Sequence, residues 1–354
     1  MCFLDHPGRG QLCQFVSHLN PAILARRARV ERRQALAICL HHRAESMNSP
    51  AQPLAPIVNA MTVDVEDYFH VSAFENTVSR SQWETLDSRV SRNTERLLAL
   101  FDQASVRATF FVLGWVAERF PGLVRDIAAR GHEIGSHGFS HHLVYDQTPE
   151  QFREDLRRSR DAIAAAVNAP VYGYRAPSFS ITKRSFWALD ILIEEGFIYD
   201  ASIFPIRHDR YGVPSAPRRF HTLQTNAGTI WECPGSTVRV GGTNFPVAGG
   251  GYFRLLPYAW TQWGIGRLNE VEGRPAIFYI HPWEIDPDQP RLPGSWLSRF
   301  RHYRNLSETE ARLERLVSEF AFAPLVDVLA KESQEQPTAP PLRASRGSRL
   351  VPAT

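Results

Sequence analysis

Two kinds of segment alternate along residues 57–319: short apolar runs rich in β-branched and aromatic side chains, and longer stretches with helical periodicity. Residues 57–65 predict a strand. Residues 108–113 (ATFFVL) predict another, buried on both faces because its apolar residues do not alternate with polar ones. Helices are predicted over 91–103, 116–130, 183–195, 258–270 and 308–319, with Gly131 as the stop of the second. Thr148, Pro149, Glu150 and Gln151 read as a capped start of a further helix. More strands are expected at 132–135, near Val171, at 197–200 and at 276–281. Repeated β-α units require a parallel sheet, open or closed as a barrel. The expected fold is therefore α/β, a distorted, incomplete (β/α) barrel of about seven parallel strands. Pro, Gly and Arg break the pattern at 205–255, which reads as an insertion of loops and hairpins.

The two ends differ from this body. Residues 1–46 hold Cys2, Cys13 and Cys39 and a run of arginines, without a strand pattern. The stretch ARRARVERRQALAICL reads either as a basic regulatory or membrane-surface helix or as part of a non-native or disordered extension. The second is favoured, with Met47 rather than Met1 as the true start, because a short polar stretch there leads directly into the first strand. Residues 332–354, rich in Pro, Ser, Gln and Arg, predict a disordered tail.

Composition narrows the function classes. A net charge of +3 on 354 residues makes no general case for nucleic acid or an anionic membrane. No apolar run reaches the roughly 18 residues needed to span a bilayer. The four cysteines form neither an even disulfide framework nor a C-x-x-C pair, and no secretory leader is legible, so the expectation is a cytoplasmic protein.

In a parallel β/α architecture the strands' C-terminal ends are where chemistry collects. Here the first strand ends in Asp64, Glu66 and Asp67, and the third in His137, His141 and His142. Arg175, Ala176 and Pro177 follow the fourth, Asp200 ends the fifth, and His281 and Trp283 follow the last. His137 and His141 are four apart, a spacing that on a helical turn puts both imidazoles on one face. A carboxylate from a neighbouring strand end completes two histidines plus one acid, a set that catalytic zinc uses with a position left for water.

The ordered motifs Ala108-Thr-Phe-Phe-Val-Leu-Gly114 and Gly131-His-Glu-Ile-Gly-Ser-His137-x-x-Ser-His141 resemble the polysaccharide deacetylases of carbohydrate esterase family 4, which share a homology domain with chitooligosaccharide deacetylases. The resemblance covers residues 58–330, the expected catalytic domain. Val63-Asp-Val-Glu-Asp-Tyr-Phe-His70 and Phe278-Tyr-Ile-His-Pro-Trp-Glu-Ile-Asp286 resemble a subgroup found with bacterial exopolysaccharide and exosortase loci.

That resemblance implies metal-assisted hydrolysis of an N-acetyl group on an amino sugar. It implies that His137 and His141 hold one divalent metal with Glu66 or, next in preference, Asp67. Zinc is the default, with cobalt, nickel or manganese accepted by the same set. Asp64 is implied as general base, His281 as general acid, and Arg175 as the cation that orients Asp64. The Ser178 backbone N–H is implied as an oxyanion donor beside Pro177, and Asp200 as the residue that orients the catalytic histidine. Trp283, Trp231, Tyr68 and Tyr252 are candidate sugar platforms, though aromatics so placed are more often core or rim residues. His70, His132 and His142 are expected to be bystanders, and Glu284 and Asp286 to orient a loop or touch substrate.

The implied substrate is an N-acetylated oligo- or polysaccharide or its lipid-linked precursor, with peripheral association to polysaccharide-synthesis machinery and neither nucleic acid nor a membrane span. Two other readings share this sequence. One is a hydrolase of the same fold that opens cyclic amides or imides. The other is a non-catalytic glycan-binding protein, which would be expected to lack a base, ligand or acid.

Overall fold

All seven residues of the first strand, β1 (Asn59–Val65), are buried, as a parallel strand covered on both faces requires. The computed structural model describes residues 56–334 and the backbone of Arg343–Ser345 and Arg349–Val351. The chain divides into Met1–Ala55 and Pro56–Thr354. The expectations for residues 1–46 and Met47 lie outside the described residues.

After β1 come α1 (Val90–Gln103), β2 (Thr109–Val112), α2 (Gly114–Arg119), α3 (Pro121–Ala129), β3 (Glu133–Ser136), α4 (Pro149–Val167), β4 (Gly173–Tyr174), α5 (Trp187–Glu194) and β5 (Tyr199–Asp200). The insertion supplies β6 (His221–Gln224), β7 (Thr229–Glu232), β8 (Thr237–Val240) and β9 (Thr243–Pro246). The chain then forms α6 (Gly250–Leu255), α7 (Tyr258–Gly266), β10 (Ile277–Ile280), α8 (Trp296–Tyr303), α9 (Leu306–Glu319), β11 (Phe322–Ala323) and α10 (Leu325–Gln334).

The main sheet has the order β10-β1-β2-β3-β4-β5-β7-β6, and β11 adds to the start of β1. From β10 to β7 every neighbouring pair is parallel, so the parallel run has the seven strands expected. The sheet curls into a half-barrel, with β10 and the antiparallel β6 at its two ends. β8 and β9 form a separate hairpin. Its two-residue loop, Gly241 and Gly242, has φ of 55° and 82°, the left-handed pair that a tight hairpin turn needs and that glycine adopts without cost.

Several elements depart from the sequence expectation for identifiable reasons. The helix expected over 116–130 is two helices, because Pro121 cannot donate its amide and pushes Phe120 out of helical conformation (φ −126°, ψ 57°). α7 passes into a π-helical turn, Arg267–Val271. At α4 the sequence-level capping box is present: the Thr148 hydroxyl accepts from the Gln151 amide, and Gln151 reaches back to the Thr148 amide. Helix α10 runs through residues 332–334, which the sequence assigned to the tail.

Candidate active site

The candidate site lies on the rim where the parallel strands end. β1 delivers Asp64 and then breaks, the Glu66 amide turning back onto the Asp64 carbonyl (3.0 Å). Asp64 and Glu66 are both buried, and so are His137 and His141 from the loop after β3. That loop is not the helical turn suggested by the spacing of the two histidines. It is a bend in which Gly138 has φ 75° and His141 φ 52°. Asp155, on α4, accepts from the amides of Phe139 (2.7 Å) and Ser140 (3.1 Å) and holds the bend in place. Arg80 clamps it from the other side through the carbonyls of Ser140 and His141.

One carboxylate oxygen of Glu66 and one nitrogen each of His137 and His141 lie within 4.8 Å of one another. Glu66 Oε2 is 2.7 Å from His141 Nε2, yet it is buried without a properly aligned hydrogen-bond partner. His137 uses Nδ1 on the Arg175 carbonyl (2.8 Å), which leaves Nε2 as the free ring nitrogen. A carboxylate oxygen and two imidazole nitrogens aimed at one point, with one buried atom otherwise unsatisfied, fit a divalent ion with coordination positions to spare. Burial lowers the His137 pKa to about 4, so the ring is neutral near pH 7, as a ligand must be. Burial would raise the Glu66 pKa, but the imidazoles of His141, His281 and His137 outweigh it and hold the carboxyl well below its ordinary value.

Arg175 ties both halves of the site together. Its carbonyl fixes His137, and its guanidinium donates to Asp64 Oδ1 (2.8 Å) and to Thr62 Oγ1 (2.8 Å). This commits Asp64 Oδ1 and leaves Oδ2 facing His281 Nε2 at 3.8 Å. His281 Nε2 is also 3.6 Å from Glu66 Oε1, so the imidazole caps the cluster from the β10 side.

The partner of His281 is Glu284, through Nδ1 and Oε2 at 2.9 Å. Glu284 is in turn paired with Arg254 (2.6 Å). Burial would raise the Glu284 pKa, but Arg254 and His281 hold it down to about 2. Burial would lower the His281 pKa, but Glu284, Glu66 and Asp64 push it up to about 9. Asp200, expected in the orienting role, stands elsewhere. It takes the Ser202 hydroxyl and faces Glu232 across the β5–β7 ladder. Burial pushes Asp200 up to about 6 and Glu232 well above its ordinary value.

Asp67 is not brought to the cluster. Its Oδ2 accepts from Ser88 Oγ (2.7 Å) and the amides of Arg89 (2.7 Å) and Val90 (3.1 Å), so it caps the start of α1. Burial outweighs these bonds and raises its pKa to about 6. Tyr68 is buried with its ring edge-on to Phe69 and presents no face to a sugar. Trp283 is likewise not an open platform. Its indole donates to Glu66 Oε1 (3.1 Å), and its ring stacks between His281 and His302. His70 accepts from the Asp67 amide and sits among Phe69, Trp83 and Trp115. Pro177 is buried beside Ser178, which has φ 51° and bonds Ser72 through its hydroxyl (2.7 Å).

Sequence reasoning missed Arg254, and it gave Glu284 a loop-orienting or substrate-contacting place rather than that of the partner of His281. Glu284 had a signal: His281-Pro282-Trp283-Glu284 has Pro at the first helical position and Glu at the third, a pattern in which the acid reaches back to its cap. Arg254 comes from α6, 30 residues earlier, and had none.

Residues 75–192 match the family model described as polysaccharide deacetylase, and residues 201–330 match one described as a domain of unknown function, DUF3473. A peptidoglycan deacetylase of Helicobacter pylori is 32% identical over 108 residues, 30% of this chain and 36% of that protein. A peptidoglycan-N-acetylglucosamine deacetylase of Bacillus cereus is 36% identical over 98 residues, 27% of this chain and 36% of that protein. The chain thus spans about a third of the length of these curated relatives. A Mycobacterium smegmatis crystal structure, provisionally named a polysaccharide deacetylase, aligns with a TM-score of 0.56 at 20% identity. It covers 85% of this chain and 99% of its own, a likeness of fold alone.

Proposed function

We propose, from the match of residues 75–192 to the polysaccharide deacetylase model, that this chain is a metal-dependent hydrolase. In this reading it removes N-acetyl groups from the amino sugars of a bacterial exopolysaccharide or its precursor. The observation that carries the reading is that Asp64 Oδ2 and His281 Nε2 meet at 3.8 Å beside Glu66, which clusters with His137 and His141.

Glu66, His137 and His141 would hold the ion, which when bound supplies Lewis-acid polarisation and acidifies water. The remaining work falls to the chain's own side chains. Asp64 Oδ2, the oxygen that Arg175 leaves free, takes the proton of the attacking water. His281 Nε2, kept protonated by Glu284, gives a proton to the departing amine nitrogen. Water adds to the acetyl carbon, the carbon–nitrogen bond breaks, and acetate and a free amino sugar leave. The Ser178 amide, which makes no hydrogen bond to protein among the described residues, is the donor offered to the oxyanion.

No helix among the described residues is long and apolar enough to cross a membrane; the cytoplasmic location and the precursor substrate are part of the proposal.

The test is acetate release from N-acetylglucosamine oligomers, with the full chain in zinc or in chelator. The expected outcome is release that disappears with the chelator. It should also fall about 10²- to 10⁴-fold in Asp64→Asn and His281→Ala, the usual worth of a general base or acid. Undiminished release in both variants would overturn the assignment of roles.

A further inference from the structure

Helix α8 (Trp296–Tyr303) is apolar on the outside. Trp296 is 77% exposed, Leu297 47% and Phe300 43%, and Trp296 and Phe300 stack on each other one helical turn apart (centroids 5.5 Å, 17°). Of its eight residues only His302 is buried. Around this face stand Arg291, Arg299, Arg301 and Arg304, all exposed, and none forms an ion pair among the described residues. The sequence has no acidic residue between Asp288 and Glu308. A core-forming helix turns its large apolar residues inward. This one turns aromatic and aliphatic groups to solvent inside a ring of uncompensated guanidiniums, the pattern of a helix lying in the headgroup region of an anionic bilayer.

We propose that α8 and the preceding Arg291 segment dock the protein on an anionic phospholipid surface. Charge complementarity selects the occupant. Four unpaired cations suit a lipid surface of negative headgroups, and the Trp, Leu and Phe between them suit the boundary with the acyl chains.

The docking face borders a cavity that shares Arg254 and Trp283 with the surroundings of the site. Leu297, Ser298 and Arg301 line a cavity of about 550 Å³ whose wall also includes Tyr252, Tyr279 and Trp283. The last carbonyls of the helix hold Arg254, which donates from Nη1 to the carbonyls of Arg301 (2.9 Å), His302 (2.8 Å) and Arg304 (3.1 Å). Through Glu284 the same arginine supports His281. A bilayer against α8 therefore sets the mouth of this cavity at headgroup level. Only the consequence for substrate, an amino sugar held at the membrane by a lipid carrier, rests on the deacetylase reading.

The experiment is co-sedimentation of the full chain with vesicles of phosphatidylglycerol and phosphatidylcholine in equal parts, against phosphatidylcholine alone. Binding is expected to the mixed vesicles, weak to the neutral ones, and reduced on going from about 0.1 M to about 0.5 M salt. Arg299→Gln is expected to weaken binding about five-fold. The double variant Trp296→Ala, Phe300→Ala should weaken it by about ten-fold or more while releasing acetate from soluble oligomers at the wild-type rate.

Equal vesicle binding by wild type and double variant would overturn the proposal, as would no binding of wild type to the anionic vesicles. A raised KM for soluble oligomers with vesicle binding unchanged would make the face a sugar platform. A wild-type dimer that the double variant dissolves, again with vesicle binding unchanged, would make it a subunit contact. Either result excludes the membrane. Loss of acetate release in the wild type with vesicle binding intact would count against the deacetylase reading and leave the docking surface standing.

Discussion

His281 depends on a carboxylate that its own motif contributes three residues later. Glu284 holds Nδ1 at 2.9 Å and is the first of the charges that push the imidazole up to about 9. In its proposed role of acid His281 must be protonated, so activity should be lost as pH rises through its pKa. Replacing Glu284 with Gln removes a negative charge beside it and lowers that pKa. The alkaline limb of the kcat profile of Glu284→Gln should therefore lie at lower pH than that of wild type; an unmoved limb would mean that another group sets it. Asp64, His137, His141 and Arg175 were legible as ordered strand-end residues. Glu66 was preferred to Asp67 in the sequence, and it is Glu66 that the structure brings to the two histidines. The turn from the Glu66 amide to the Asp64 carbonyl and the use of Asp67 at the start of α1 were not visible in the strand end itself. Asp200 failed as the orienting acid for a similar reason: parallel register sets it opposite Glu232 rather than toward β10.

The loop from His137 to His141 brings two buried imidazoles to Glu66, the pair proposed as ligands, and its conformation depends on one glycine. Gly138 has φ 75°, and a Cβ there would stand 2.8 Å from Asp155 Oδ2, the acceptor that holds the bend. Gly138→Ala should cost about 1–2 kcal/mol for the left-handed backbone alone. It should also weaken zinc binding, because the bend that aims His141 must shift. Calorimetric unfolding and zinc titration of the variant check both effects, and wild-type values in both would show that the bend tolerates a side chain. At this scale the strands and the capped helix α4 were readable because periodicity and capping are local. The break at Pro121 was readable too but was overridden by the apolar period across it. Helix α8 was not readable, since its apolar residues serve no buried face and give no core-facing stripe.

Across the whole domain, the polar groups at the two ends of the half-barrel have different duties. At the start of β3, Glu133 accepts from Tyr199 Oη (2.8 Å) and the Val326 amide (3.1 Å), joining β3, β5 and α10. Burial raises its pKa from 4.5 to about 7, against the hydrogen bonds from Thr109 and Tyr199. The folded chain then binds more protons than the unfolded one, so this group's contribution is fully present below about pH 4.5 and is lost as pH rises through about 7. Glu133→Gln should flatten that part of the stability profile, a difference on the order of 3 kcal/mol between pH 4.5 and 8. Thermal unfolding of both proteins over this range checks it; parallel profiles would contradict it. The parallel sheet itself was foreseeable from repeated β-α units, whereas the nine-strand order and the Arg254 bridge depend on contacts between distant segments. In the proposed site Glu66, not Asp67, completes the ion's ligands with His137 and His141, beside Asp64 and His281. Calorimetric titration of zinc into the metal-free chain and two variants tests it most directly. One ion per chain is expected, with site binding abolished in Glu66→Gln and retained in Asp67→Asn; retention in the first with loss in the second would assign the ligand to Asp67 instead.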